Sequence, residues 1–297
     1  MDIAKTSLGW IVAVAVAACS SPDGSDGGSG GANGETGGAA GAGSQESIEQ
    51  PEAGKSICDD ALPPVEVDDI SGNWAYVEVQ TQVVSAPGFA EPFRNLVVTS
   101  ELWELSQDGA SVTGHVDVCD RYVRGGVVET TLSNAFVDSI EDFDITATYG
   151  EDGSFEVDRY YLLIGTTLDD PSDKDALPTD ANDERVYDQD GDGNPGSTVR
   201  IQGLVDGRAY VVQWSSIAPT GATVSNHRIE GLLGFDAKEN VLESEPPLIA
   251  TLGSESHPYP EECWSTFQME RLDSDATCST VVDSFLELFP DLESTDP

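Results

Sequence analysis

The residues with the clearest chemistry lie in one short stretch, Asp188-Gln189-Asp190-Gly191-Asp192-Gly193-Asn194-Pro195-Gly196. Three carboxylates occupy alternate positions, so a chain that curls through this segment aims them at one point. Hard oxygen donors at irregular spacing suit Ca2+, which tolerates geometry that Mg2+ does not. Gly193 stands at the sixth position, where the curl needs a positive φ. The pattern predicts a structural Ca2+ site. Asp188, Asp190 and Asp192 give side-chain oxygens, and Asn194 a side-chain or backbone oxygen. The twelfth position is Val199, where a bidentate Glu would complete the set. The missing ligands are sought in Asp180, Asp183 and Glu184, and after them between Asp169 and Asp175.

Other chemistry is thinly represented. The chain has no G-x-S-x-G elbow and no H-E-x-x-H pair, so serine-hydrolase and zincin readings lack support. Its histidines, His115, His227 and His257, are far apart, and His115 reads as the polar face of a strand. The D-x-D of Asp188 and Asp190 has no βαβ pattern around it, which removes a nucleotide-sugar transferase. With 55 acidic residues, chance carboxylate pairs are inevitable, and a glycosidase claim needs geometry. The chain of 297 residues sets those acids against 13 Lys and Arg, a net charge of −42. That balance argues against a nucleic-acid partner, which calls for a basic footprint. It also disfavours a polybasic lipid-binding patch.

The elements that must position the acidic loop read as strands. Val77, Val79, Thr81 and Val83 alternate with Tyr76, Glu78, Gln80 and Gln82, a half-buried strand. Leu96 to Ser106 and Val112 to Val118 flank Asp108-Gly109, a hairpin signal. Further turns at Gly150-Glu151-Asp152-Gly153 and Asp206-Gly207 join ITATY to SFEVDRYYLLI and TVRIQGLV to RAYVVQW. Residues 228–235 and 266–272 add two more strands. The expected class is all-β, an antiparallel barrel or sandwich. One short C-terminal helix is expected over 279–289, with Val281, Val282, Phe285, Leu286 and Phe289 on one face and Pro290 as its stop. The loop at 169–197 is acidic and Pro-punctuated, and long enough to be functional or metal-ordered. Tyr160, Tyr161, Tyr210 and Trp214 are candidates for lining a barrel cavity.

The N-terminus carries a processing signal. Leu8 to Ala18 is an apolar run too short to span a bilayer but suited to a signal-peptide core. It ends in Val16-Ala17-Ala18-Cys19, which resembles the bacterial lipobox. The resemblance implies cleavage after Ala18, and acylation of Cys19 that anchors the chain to a membrane. Ser20, where no Asp stands, implies the outer membrane by the sorting rule of Gram-negative lipoproteins. Residues 19–56 form a Gly/Ser-rich tether too polar to offset its ordering entropy by burial. About 37 such residues reach roughly 35 Å. The domain plan is therefore a signal peptide at 1–18, a tether at 19–56 and one β-rich domain at 57–297. Cys58, Cys119, Cys263 and Cys278 remain, an even number in an oxidising compartment, and two disulfides are expected with the pairing open.

Three resemblances add to this reading. The Asp loop has the spacing of the first half of an EF-hand without the flanking helices. It looks more like the extracellular calcium loops of thrombospondin type 3 or dockerin-like repeats, present here once. Gly72-Asn73-Trp74 resembles the G-x-W that opens lipocalin-like barrels, where Trp plugs one end. The segment LPTDANDERVYDQDGDGNPGSTVRIQGLVDGRAYVVQW is similar to one in uncharacterised lipoproteins of myxobacteria, which implies a lipid-anchored β-domain with a calcium loop and no assigned activity. The expected function is an outer-membrane-anchored, calcium-stabilised binding module that is not an enzyme and takes a small apolar ligand or a protein partner. The alternatives are a surface structural or adhesive module, and a hydrolase on a β-scaffold.

Overall fold

The computed structural model describes residues 62–86, 90–125, 129–202, 206–251, 255–290 and 292. The expected signal peptide and tether, with Cys19 and Cys58, lie outside the described residues. The described strands are β1 (Gly72–Ala86), β2 (Ala90–Asp108), β3 (Ser111–Gly125), β4 (Glu129–Leu132), β5 (Phe143–Tyr149), β6 (Ser154–Val157), β7 (Tyr160–Ile164), β8 (Ser197–Gln202), β9 (Gly207–Ser225), β10 (Arg228–Glu245), β11 (Glu255–Pro258) and β12 (Thr266–Arg271). Helix α1 (Asn134–Asp138) sits between β4 and β5, and α2 (Cys278–Asp283) and α3 (Phe285–Leu288) end the described chain.

Eight strands pair in chain order: β1-β2-β3-β5-β6-β9-β10-β12. The ring closes where β12 pairs with β1, from Trp74 opposite Arg271 to Val79 opposite Thr266. Every ladder is antiparallel. The all-β expectation therefore resolves to an up-and-down barrel rather than a sandwich, and closure removes the sheet edges that invite aggregation. The Asp108-Gly109 turn stands as a hairpin, with Asp108 opposite Ser111 and Gly109 at φ +62°. SFEVDRYYLLI is two strands, β6 and β7, which bond to successive stretches of β9.

One end of the barrel is plugged by aromatic side chains. Trp74, Tyr76, Trp103, Phe155 and Phe267 are all fully buried there. Tyr76 stacks on Trp103 with centroids 4.4 Å apart. Trp74 Nε1 donates to the Ile70 carbonyl at 2.9 Å. The Arg271 guanidinium lies 4.5 Å from the centre of the Trp74 ring and donates to the carbonyls of Ser71 and Asp69 at 2.8 and 3.0 Å. A delocalised cation over an indole face, with its donors satisfied, seals the floor.

β1 corrects the half-buried reading. Tyr76, Glu78, Gln80 and Gln82 are all buried, and so are Ala75, Val77 and Val79. The valine face packs on the outside against Val281, Phe289 and Leu292. That leaves the polar face pointing into the barrel. The expected single C-terminal helix is also corrected. It breaks at Ser284, whose N–H goes back to the carbonyls of Thr280 and Val282 to end α2. The break turns the intended face: Val281 and Phe289 are buried, while Val282 and Leu286 are 42% and 51% exposed.

A disulfide joins Cys119 on β3 to Cys278 at the start of α2, and Cys263 is disulfide-bonded as well. The Cys119–Cys278 bond spans 159 residues of chain and holds the helical cover on the barrel wall. Loops of that length restrict the unfolded chain most in the entropy picture. Replacing both Cys119 and Cys278 by Ser should lower unfolding free energy by about 2–5 kcal/mol in a denaturant titration. An unchanged midpoint would show that the helices hold without it.

Candidate functional site

The acidic loop is positioned by β9. Both β7 and β8 run antiparallel along the same edge of it, with Ile164 opposite Gln213 and Ser197 opposite Val211. They form one edge interrupted by an excursion over residues 165–196. Exit and re-entry touch: Gly165 and Gly196 have φ of +70° and +78°. A Cβ on Gly165 would strike Gly196, and one on Gly196 would strike the Val211 carbonyl. Only glycine fits either place.

The first half of the excursion is held by packing. Leu168 and Leu177 are buried against Val212 and Trp214, and Trp214 Nε1 donates to the Pro171 carbonyl at 2.6 Å. Asn240 Nδ2 donates to the carbonyls of Leu177 and Pro178 at 3.2 and 2.8 Å. Tyr161 stacks at a tilt on Trp214 beneath this cover. Trp214 and Tyr161 therefore pack beneath this cover, and Trp214 is also among the residues that line the cavity.

The second half gathers the acids. Asp188, Asp190 and Asp192 each offer one oxygen within 4.8 Å of the others. Asp188 accepts the N–H groups of Asp192 and Gly193 at 3.1 and 2.9 Å. Gly193 has φ +90°, the conformation its position required. Thr198 ties the loop to β8: its N–H donates to Asp190 Oδ2 at 2.9 Å and its hydroxyl to Asp192 Oδ2 at 2.7 Å. Asp190 Oδ1 is enclosed and has no hydrogen-bond partner among the described residues. Burial pushes the Asp190 carboxyl up; the Thr198 N–H partly offsets this, and the Asp192 and Asp188 charges add to it. Asn194 joins the group by donating its backbone N–H and Nδ2 to Asp192 Oδ1, both at 2.9 Å.

Several acids sought as further ligands are engaged elsewhere. Asp183 clasps the Arg185 guanidinium at 2.9 and 2.7 Å. Asp170, Asp173 and Asp180 accept N–H groups two residues on, as Asx turns do. Two supporting residues escaped the sequence reading. Thr198 is one. Gln189 is the other: it accepts from the Gly165 N–H at 2.5 Å and donates to the Ser139 carbonyl at 3.0 Å. Gln189 acts through contacts 24 and 50 residues away, and Thr198 through contacts six and eight residues back across the turn, neither of which the Asp spacing encodes.

The barrel interior above the aromatic floor forms a second polar centre. Glu78 and Glu101, 1% and 3% exposed, sit side by side on paired strands. Gln80 Nε2 donates to Glu78 Oε1 at 2.8 Å, and Trp103 Nε1 to Glu101 Oε2 at 2.6 Å. Next to them a cavity of about 40 Å³ is lined by Gln80, Gln82, Arg121, Gln213 and Glu239, with Val97, Val123 and Leu132 supplying apolar wall. Gln213 Nε2 donates to Glu239 Oε2 at 2.5 Å. Burial, and after it the Glu78 charge, push the Glu101 carboxyl up to about 8; the Trp103 N–H and Arg121 oppose the rise. Burial also raises Glu78 and lowers Arg121. On the outside wall, His115 Nδ1 lies 2.9 Å from Asp144 and Nε2 3.5 Å from Asp142. It is exposed, as its place on the polar face implied.

Comparison with protein-family models, with curated proteins and with solved structures finds no match.

The Glu101 shift has a signed consequence for stability. Folded Glu101 keeps its proton to about pH 8, whereas in the unfolded chain it releases it near pH 4.3. Its contribution is therefore full below the lower value and is lost as pH rises to the upper one. Glu78, Arg121, Tyr76 and Tyr160 surround it, and Glu101→Gln keeps the neutral shape. The melting temperature of wild type should fall more steeply between about pH 5 and pH 8 than that of Glu101→Gln. Parallel curves for the two proteins would mean that Glu101 is charged throughout.

Proposed function

We propose that this chain is a lipid-anchored envelope lipoprotein whose β-barrel is braced by one structural Ca2+ and serves as a non-enzymatic binding module of the outer membrane. The observation that carries the calcium reading is the convergence of Asp188, Asp190 and Asp192 within 4.8 Å. Three carboxylates that close repel one another, and a hard divalent cation among them relieves the repulsion. Asn194 completes the side of the site nearest Asp192. Thr198 and Gln189 orient the loop behind the ligands, as outer-shell groups do. The Cys119–Cys278 disulfide accords with export to an oxidising compartment, and Cys19 with its tether supplies the anchor.

Within the binding role, the cavity wall combines amides, a guanidinium and a carboxylate with the apolar side chains of Val97, Val123 and Leu132. A hydrolase draws no support from the raised Glu101 carboxyl. Neither Glu78 nor Glu101 is among the residues that line the cavity. The partners this reading admits are a small molecule inside and a protein on the exterior wall.

The test is thermal melting with calcium and then with chelator. Extracellular calcium modules bind at about 10⁻⁴ to 10⁻³ M, and an ion at about 100 times its dissociation constant adds roughly 2.7 kcal/mol. Wild type should melt higher with calcium, Asp190→Ala should lose most of the gain, and Cys19→Ala should leave the membrane fraction unlabelled by fatty acid. Identical melting with and without calcium overturns the metal reading, and a membrane-bound Cys19→Ala overturns the anchor.

A further inference from the structure

The outer wall of the barrel carries a second group of metal-ligating side chains, remote in sequence from the acidic loop. Val112, Gly114 and Val116 of β3 are buried, so His115 and Asp117 share the outward face. Asp144 stands opposite His115 on β5, and Asp142 immediately precedes that strand. His115, Asp117 and Asp142 each offer one ligand atom within 4.8 Å of the other two. The β3–β5 ladder fixes the backbone beneath them, which no loop could do as firmly.

The imidazole decides what this group can hold. Its Nδ1 lies 2.9 Å from Asp144 Oδ1. An ionised carboxylate only accepts, so the ring carries a proton on Nδ1. Nε2 then presents its lone pair toward Asp142, whose Oδ2 is 3.5 Å away. That separation is too long for a hydrogen bond. It matches the edge of a tetrahedron, roughly 3.3–3.6 Å, around an ion bound at about 2.0–2.2 Å. A His that gives Nδ1–H to a carboxylate and Nε2 to the ion is the arrangement found behind zinc ligands. Ca2+ is poorly served, since it takes about 6–8 oxygens and the group supplies two carboxylates and a nitrogen. Imidazole with carboxylates suits Zn2+ and its neighbours in the first transition row. Two carboxylates cancel the charge of the ion. The side chains of His115 and Asp142 are 48% and 63% exposed, which leaves the remaining coordination position to water.

We propose that His115, Asp117 and Asp142 bind one ion of the Zn2+ class on the outer wall, with Asp144 orienting the imidazole from behind. The ion ties β3 to the chain entering β5. The site is separate from the turn over Asp188, Asp190 and Asp192, and it depends on neither the calcium reading nor the lipid anchor.

Zinc titration of the mature chain in saturating calcium, followed on the imidazole NMR signals, tests the assignment. The histidines of the chain are His115, His227 and His257, so single substitutions assign all three rings. One equivalent of zinc should shift the His115 ring and leave the other two in place, and magnesium at the same concentration should shift none. By calorimetry, His115→Gln should weaken zinc binding by at least about tenfold, and Asp144→Ala by about 10–100-fold. Both variants should leave the calcium response of wild type unchanged, and Asp190→Ala should keep the zinc shift. A His115 ring that zinc does not move overturns the proposal and leaves an imidazole paired with its acids alone. Zinc binding undiminished in His115→Gln also overturns it. So does an equal shift of His115 by magnesium, which would mean a cluster of acids without metal selectivity. Since the two metals are read separately, a missing calcium response with the zinc shift intact refutes only the calcium loop.

Discussion

Closure of the sheet is the constraint on which the rest depends. When β12 returns to β1, every ring strand has two neighbours, and the inward faces are cut off from bulk water. The aromatic floor gains its burial from this closure. Glu78, Glu101 and Arg121 lose their hydration to it, and so their titration is displaced. A flat sheet of the same sequence would leave those groups solvated and ordinary. The outward face of β1 is covered in turn by α2 and α3, which the Cys119–Cys278 bond fastens to β3.

The second organising feature is the length of β9. It bonds in succession to β6, β7 and β8 along one edge while pairing β10 along the other. An excursion placed inside that edge has both ends fixed by a single ladder. The acidic residues are therefore brought to a rigid base although they lie on a long connection. Much of that connection is pinned by Leu168, Leu177 and Asn240. Any ion-dependent change is thus confined to the short turn from Asp188 to Thr198. The loop and the interior centre are independent in construction, one outside the wall of β9 and the other inside it.

The sequence revealed the class of fold and the nucleus of the loop. Alternation and the Asp-Gly turn located the strands, because a two-residue hairpin is a local event. The Asp188, Asp190, Asp192 spacing is local too, and the three side chains meet as spacing implied. What depended on distant contacts was not legible. Glu78 and Gln80 read as a solvent face because polar residues usually are one; only the arrival of the C-terminal helices on Val77 and Val79 reverses the sheet's sides. The break at Ser284 and the split of SFEVDRYYLLI into β6 and β7 are set by partners far along the chain. Thr198 looked like the first residue of a strand, and nothing near it signalled two hydrogen bonds into the acidic turn.

The central claim is a closed barrel that stands by itself and carries a local, ion-ordered turn on one edge. Amide hydrogen exchange with and without calcium tests both halves at once. Calcium should slow exchange at Asp192, Gly193, Asn194 and Thr198, while the amides of the β1–β12 ladder stay equally protected in both conditions. Unchanged exchange in the turn, or a loss of protection through the β1–β12 ladder when calcium is removed, would contradict the account.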